Sequence, residues 1–461
     1  MGKAGTAPAP TDPSAQEFLT RAVATLPDDR LRLVSLPAPE APLERLWQAW
    51  PDAEAVLWDP PGGHALAGVG SALAVEASGP QRFAILEAAV AAATAAAESV
   101  AMPGCSPVSA RFVGGLAFAP GGASEEPWRP LGEGYLVIPR WEYQRTAAGG
   151  QLTLALAPGQ RPRWEELAGE YDHLRRVLAG EARPGSLEAE VQIREEPPAR
   201  AWAAAVERAR GAIRAGALAK VVLARRLVVA AGAPLAPEAL LANLAAHEQG
   251  LYRFGIRRHG RALVGASPEL LVARAALEVR SEALAGSAPR GCGEGLPAAE
   301  LLGDPKQEEE HRLVVEAVRE ALAGVCGELV APPRPTVRLL RHLAHLHTPL
   351  TGTLARPVSV LALAARLHPT PAVGGVPREA ALELIGASED APRGWFAGPF
   401  GMVAGTGDGE LAVALRCALV AGKGAHVWAG AGIVADSDPE EEVNETAVKA
   451  AAALAALGLR P

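Results

Sequence analysis

The sequence predicts an α+β fold. Three observations lead there: apolar runs of strand length recur from residue 31 to residue 434, Ala- and Glu-rich helical stretches interrupt them, and the two kinds do not alternate in the regular order of a parallel sheet. With 461 residues, 49% of them hydrophobic and 21% charged, the chain can bury a sizeable core.

Residues 1–16 carry one early lysine and then Ala, Pro and Ser, without the apolar core of a signal peptide, and read as a disordered lead-in. Residues 17–180 read as a β-rich half. Apolar runs at 31–36, 55–58 and 65–75 are separated by Pro and Gly signals such as Pro60-Pro61-Gly62-Gly63. The stretch 83–100 is alanine-rich and contains Glu87 and Glu98, so it reads as a soluble helix and not as a membrane span. Strand-like runs follow at 111–118, 134–139 and 151–156, and a helix at 163–179. A segment rich in Glu, Arg and Pro, 181–198, reads as a linker, although one sheet could draw strands from both sides of it.

Residues 199–461 form the more densely patterned half. A helix is predicted at 199–217, a strand at 220–230, a helix at 235–248 and β structure at 255–257 and 262–274. Asp304-Pro305 opens a helix, Asp as its cap and Pro in the first turn, where the missing N–H costs nothing. Another helix ends before His368-Pro369-Thr370-Pro371. Runs at 395–404 and 410–420 read as a hairpin joined through the glycine-rich 405–409. A strand at 426–434 leads through Ser437-Asp438-Pro439-Glu440 into the last helix.

The charge of −8, from 52 acidic and 44 basic residues, gives no reason to expect nucleic acid or an anionic membrane as partner. An anionic substrate would need local positive charge or a metal ion. The cysteines, Cys105, Cys292, Cys326 and Cys417, form no CxxC pair and read as reduced thiols of a cytoplasmic protein.

On the last helix, Glu442, Glu445 and Lys449 share one face, which is either a solvated stripe or part of a site. The small residues Ala429-Gly430-Ala431-Gly432 just before it would expose backbone N–H groups, and backbone beside carboxylates suits an anion together with a hard cation. They do not fit the dinucleotide fingerprint. Glu310, in the acidic run 304–311, either complements a helix dipole or supplies a further oxygen ligand for Mg2+. Lys220 is a surface residue at a strand end or, desolvated in a cleft, a base. Glu269, in the turn Gly265-Ala266-Ser267-Pro268-Glu269, is a candidate acid of raised pKa. His342, His345 and His347 match no common closed zinc site.

Taken together, the motifs resemble the chorismate-utilising enzyme family. They are KVVLAR from Lys220, GASPELLVAR from Gly265, SEALAGSAPRG from Ser281, DPKQEEEH from Asp304, LHPTPAVGGVPR from Leu367, RGWFAGPFG from Arg393, ELAVALRCA from Glu410 and AGAGIVADSDPEEEVNETAVKA from Ala429. They stand in family order. The first 180 residues resemble the family only in length and β character.

The resemblance implies a large β-sandwich-like core of two sheets with helices packed outside. It implies Glu310 and Glu445 as Mg2+ ligands with Glu442 close by. Arg416, Lys449 and the backbone of Gly430 and Gly432 would bind substrate carboxylates, and Gly286, Ser287, His345 and Thr370 would complete the pocket. Relatives that add ammonia carry Gln where Lys220 stands, and those that add water carry Lys, because water needs a base. Lys220 as base and Glu269 as acid then imply isochorismate synthesis from chorismate, without a glutaminase subunit. Salicylate synthesis, with later loss of pyruvate, shares both residues and stays open. An ammonia-using synthase and a non-catalytic chorismate binder are weaker alternatives. The HPTPAVGG and EALAG wording is closer to menaquinone-type than to siderophore-type relatives. Ser281, Ser287, Phe396, Val443 and Gln307 depart from the usual family residues without touching the proposed base, acid or primary ligands.

Overall fold

In the strand Ala55–Asp59, Val56 and Trp58 point to one side and Ala55 and Leu57 to the other, and the two sets are buried in different apolar clusters. A strand covered on both faces reads in sequence as an unbroken apolar run. The computed structural model describes residues 12–147, 149–180, 189–289, 301–341 and 343–460. Within them, strands are numbered β1 to β24 and α-helices α1 to α9 in chain order; fourteen strands join in one sheet and ten in a second.

The first sheet contains, as consecutive neighbours, β10 (Ala189–Glu196), β11 (Lys220–Ala231), β23 (Gly424–Ile433), β22 (Cys417–Ala421), β13 (Arg261–Ser267), β12 (Tyr252–Arg258) and β2 (Ala55–Asp59). The second contains β18 (Leu343–Leu354), β15 (Glu278–Pro289), β14 (Leu270–Ala275), β21 (Gly409–Val413), β20 (Pro399–Ala404) and β6 (Arg111–Leu116) in that order. The sheets face each other through aromatic rings: Phe400 of the second lies 4.9 Å from Phe254 and 6.3 Å from Trp58 of the first. On the other side of the first sheet, a separate cluster seats α1 (Pro13–Thr25), α3 (Trp164–Ala179), α5 (Pro237–His247) and α9 (Pro439–Leu457) through residues such as Leu19, Tyr171, Leu241 and Leu454.

The fold is the α+β arrangement of two sheets with outer helices that the resemblance implied. Several local expectations need correction. Helix α1 begins at Pro13, capped by Asp12, so the last residues of the expected lead-in are helical; residues 1–11 lie outside the described residues. The expected linker contributes β10, which pairs with β11; residues 181–188 of it lie outside the described residues. Three apolar runs read as single strands are each split between the sheets: 65–75 into β3 (Leu66–Val69) and β4 (Leu73–Glu76), 262–274 into β13 and β14, and 410–420 into β21 and β22. Turn signals such as Gly70-Ser71 and Ser267-Pro268 mark breaks in two of these runs, but a local break does not say that the next strand joins the other sheet. The Ala-rich run is helix only over Arg82–Thr94 and then turns into β5 (Glu98–Ala101). Among the described residues, no helix is long and apolar enough to cross a membrane.

Candidate active site

Two of those changes of sheet build one end of a buried cavity. The crossing from β13 to β14 puts Pro268 and Glu269 on its wall, and the crossing from β21 to β22 puts Leu415 and Arg416 there. Arg416 adopts a left-handed conformation, φ 48°, a strained choice for a side-chain-bearing residue that recurs at functional sites. Its guanidinium stands 3.8 Å from the buried Glu248.

Glu269 is 2% exposed, and its Oε1 has no hydrogen-bond partner. Its backbone is fixed instead: its N–H donates to Ser267 Oγ (3.2 Å) and its carbonyl accepts from Val413 (3.1 Å). Burial, then the negative charge of Glu282, push its carboxyl up to about 8, against the opposing pull of Lys220 and Arg338. At neutral pH it holds a proton.

Around Glu310 and Lys449 of the cavity wall, three carboxylates each hold a lysine. Lys220, fully buried at the start of β11, pairs with Glu310 at 2.9 Å; Lys306 pairs with Glu442 at 2.9 Å; Lys449 pairs with Glu445 at 2.6 Å. Local sequence explains the two helices that carry the carboxylates. Asp304 caps α6 (Pro305–Ala323) and Asp438 caps α9, each accepting from two backbone N–H groups, with Pro in the first turn. Burial alone would raise the carboxyl of Glu310, but Lys220, Lys449 and Lys306 hold it below its ordinary value. Burial and the neighbouring Glu445 raise that of Glu442, despite Lys306.

Glycine at 432 makes room for the carboxylate: a Cβ there would lie 2.2 Å from Glu310 Oε1 and 3.2 Å from Lys220 Cε, so the Glu310 side chain would have to move. The ladder explains the neighbouring backbone. Val222 and Ala224 face Gly432 and Gly430 across the β11–β23 pair, yet donate away from β23, to Gly374 O (2.7 Å) and Glu389 Oε1 (2.8 Å). These are therefore non-hydrogen-bonded pairs, so the polar groups of Gly430 and Gly432 point away from β11. Strand β22 stops pairing at Val427, and beyond it that edge of β23 borders the cavity. The carbonyl of Gly430 takes a hydrogen bond from Lys449 (3.2 Å).

The side wall comes from β15, whose bulge at Gly286 (φ 76°) turns Ser287 toward β18. Ser287 Oγ lies 3.0 Å from His345 Nδ1, and its N–H donates to Gln307 Oε1 (2.8 Å). Burial, with Arg416 and Lys449 nearby, holds His345 well below its ordinary value, so it is neutral; its Nε2 has no partner in the protein.

Of the residues singled out from sequence, Glu269, Gly286, Ser287, Glu310, His345, Arg416, Gly430, Gly432 and Lys449 line the cavity. Lys220 lies just beneath it, and Glu442 and Glu445 stand behind Lys306 and Lys449. Thr370 is also off the wall: its carbonyl accepts from Val373 and Gly374, folding the loop that places Ala372 and Val373 there. His347 shares a face of β18 with His345 but lies outside the cavity, beside Glu282 and Arg338, and His342 lies outside the described residues. Sequence reasoning missed the apolar lining of Phe396 and Trp428, whose rings stack 6.2 Å apart, and Arg393, which ties the wall together through Val222 O, Val373 O and Glu389. Apolar residues in a core-rich sequence carry no signal of which ones face a ligand.

Among the described residues, no three His, Cys, Asp or Glu side chains are gathered closely enough to hold a metal ion by themselves. The carboxylates of Glu310, Glu442 and Glu445, which all act on Lys306 and Lys449, are hard oxygens, two of them on one helix. That set fits Mg2+, which takes one or two carboxylates and fills its remaining positions with water or substrate.

Residues 18–458 match the family model described as chorismate binding enzyme. The chain is 36% identical over 358 residues to isochorismate synthase MenF of Bacillus subtilis, covering 75% of this chain and 74% of the relative. It is 35% identical over 454 residues to the salicylate biosynthesis isochorismate synthase of Pseudomonas aeruginosa, covering 93% and 92%. Among solved structures, the menaquinone-specific isochorismate synthase MenF from Escherichia coli superposes with a TM-score of 0.78 at 26% identity, over 96% of this chain and 99% of that one.

Proposed function

The chain belongs to the chorismate binding enzyme family, and from that footing and the site we infer that it converts chorismate to isochorismate. The observation that carries this reading is a buried, protonated glutamic acid, Glu269, on the wall of a cavity that Glu310 also lines, with the buried Lys220 paired to Glu310 and its charge felt by Glu269. An acid and a base kept apart by their surroundings are what exchange of one hydroxyl position for another requires.

In this reading, Lys220 takes a proton from the water whose oxygen bonds to C2 of the ring. The double bonds shift, the C4–O bond breaks, and Glu269 gives its proton to the departing hydroxyl, which leaves as water. In its ion pair with Glu310 the Lys220 side chain is an ammonium, so it must give up that proton to solvent and leave Glu310 before the amine can act as a base. Arg416, Lys449 and the open edge at Gly430 and Gly432 suit the substrate carboxylates, and Phe396 and Trp428 exclude bulk water beside the ring. Glu310 and Glu445 would hold Mg2+, with Glu442 beside them. When bound, the ion supplies positive charge against the ring carboxylate. The enzyme works in the cytoplasm without a glutaminase subunit, since water and not ammonia is the nucleophile. A role in menaquinone synthesis is supported by the likeness to the menaquinone-specific relative.

The test is incubation of the purified chain with chorismate and Mg2+, with products followed by NMR. Isochorismate formation that chelator stops is expected. Stoichiometric pyruvate and salicylate would instead support the lyase alternative, and ligand binding without turnover would sink both.

A further inference from the structure

We propose that Arg338 and Glu282 form a bracket that positions Glu269, Arg338 by gripping the carbonyl just before it and Glu282 by holding that guanidinium in place. The proposal rests on Glu269 being the acid of the reaction inferred above.

Arg338 lies on β17 (Thr336–Leu339), far in sequence from the residues it holds. Its Nη1 donates to Pro268 O (2.7 Å) and to Glu282 Oε2 (2.8 Å), and its Nη2 to Glu282 Oε1 (2.9 Å). Nη2 also lies 2.9 Å from His347 Nε2, which accepts from it when neutral. A guanidinium engaged through both forks has a fixed plane and cannot drift, as a lysine could. Because Oε1 of Glu269 has no partner, the direction of that carboxyl is set by its backbone and by packing. The peptide that enters Glu269 is held at both its polar groups, its N–H by Ser267 Oγ and its carbonyl by Arg338, and the peptide that follows is held by Val413.

The bracket lies outside the cavity: neither Arg338, Glu282 nor His347 lines it, and their side chains are 29%, 15% and 14% exposed. Substituting them leaves the substrate contacts in place. The charges that act on Glu269 come from Lys220 on β11, Glu282 on β15 and Arg338 on β17, while Arg416, His345 and Glu310 share its cavity. Glu410 of β21, paired at 3.6 Å with Arg280, stands beside Glu282. Burial is the largest influence on Glu269. On top of it Glu282 raises the carboxyl and Arg338 lowers it, so the two partners of one ion pair act on the acid with opposite signs.

That opposition supplies a readout that a merely structural ion pair would not give. Turnover is measured against pH for wild type, Arg338→Met, Arg338→Lys, Glu282→Gln and Glu269→Gln, all at saturating chorismate and Mg2+. Arg338→Met is expected to lower kcat roughly tenfold, part of the ~10²–10⁴ that a positioned acid supplies, with KM changed by less than about twofold. Arg338→Lys, which keeps the charge, recovers part of that loss. The alkaline limb of activity moves to lower pH in Glu282→Gln, because the carboxylate that helps keep Glu269 protonated is gone, and to higher pH in Arg338→Met. Shifts in the same direction, or limbs and kcat both as in wild type, overturn the bracket. If Glu269→Gln itself keeps wild-type turnover, the acid assignment fails first, and that result is separate from the behaviour of the other variants.

Discussion

Glu269 and Glu310 are the same residue type, the first buried and the second nearly so, and both face one cavity, yet their protons behave in opposite ways. Glu269 has no hydrogen-bond partner for its Oε1 and is pushed up to about 8, chiefly by burial. Glu310 suffers the same burial but has the Lys220 ammonium 2.9 Å away, with Lys449 and Lys306 beyond, and is held below its ordinary value. Desolvation is common to both; the neighbouring cations decide the outcome. One glutamate is thereby kept as a proton donor and the other as a fixed negative charge.

The strongest way to break this contrast is to remove its two poles. Glu269→Gln is expected to lower kcat by ~10²–10⁴, the usual contribution of a general acid. Lys220→Met should cause a comparable loss and also destabilise the fold by roughly 3–5 kcal/mol, because it leaves the Glu310 carboxylate buried without its closest cation. Thermal unfolding separates the two variants: Lys220→Met lowers Tm, whereas Glu269→Gln does not. A Lys220→Met protein with unchanged Tm and turnover would show that the ion pair contributes neither charge balance nor chemistry.

The contrast also predicts opposite dependences on pH. A carboxyl whose value rises on folding adds stability below its unfolded value of 4.5, and that stability is lost as pH rises through about 8. The depressed carboxyl of Glu310 works the other way, adding stability above the unfolded value and losing it as pH falls through the lowered one. Wild-type turnover should therefore fall along an alkaline limb near pH 8, as Glu269 gives up its proton. Above that pH, Glu269→Gln should have a higher Tm than wild type, and near pH 4 the two should agree. Equal melting curves at pH 9 would mean that the acid is not buried as the structure has it.

How far this arrangement was legible in the sequence depends on the range of the interactions. The caps at Asp304 and Asp438 are local, one acid and one proline at the head of an acidic run, and both were read correctly. The two-sheet architecture was reached only through the resemblance: residues 262–274 show a turn at Ser267-Pro268-Glu269 and 410–420 an isolated Arg416, but such local signals do not say that the next strand joins a different sheet. Those crossings are where Glu269 and Arg416 enter the cavity. Gly432 was read as allowing approach to backbone; that its hydrogen makes room for the Glu310 carboxylate depends on two segments more than a hundred residues apart. Arg338 and Glu282 escaped notice for the same reason, being 56 residues apart with nothing local to join them.

A smaller perturbation that starts at the Glu310 carboxylate follows from Gly432. An alanine there would put its Cβ 2.2 Å from Glu310 Oε1, and that carboxylate must move, taking Lys220 with it. Gly432→Ala is expected to raise the Mg2+ concentration needed for half-maximal activity and to lower kcat by roughly tenfold, within the range that a small misplacement causes. Because Lys220 also lowers the carboxyl of Glu269, a Lys220 displaced away from it should move the alkaline limb to higher pH.

The smallest expected effect comes from the cap of α9. Asp438 accepts from the N–H groups of Glu440 (2.9 Å) and Glu441 (3.1 Å), and this first turn aims Glu442 and Glu445 at Lys306 and Lys449. Losing such a cap costs about 1 kcal/mol. The helix does not depend on the cap alone, since Ala450, Leu454 and Leu457 bury its far end against the first sheet. Asp438→Ala should therefore lower Tm only slightly and fray the first turn without moving the rest. Because the fraying touches the residues proposed to hold Mg2+ and not the acid, activity should need more Mg2+, while kcat at saturating metal and the alkaline limb both match wild type. A loss of kcat that excess Mg2+ does not restore would mean that the two ends of the cavity are mechanically coupled through α9, and the separation between them would fail.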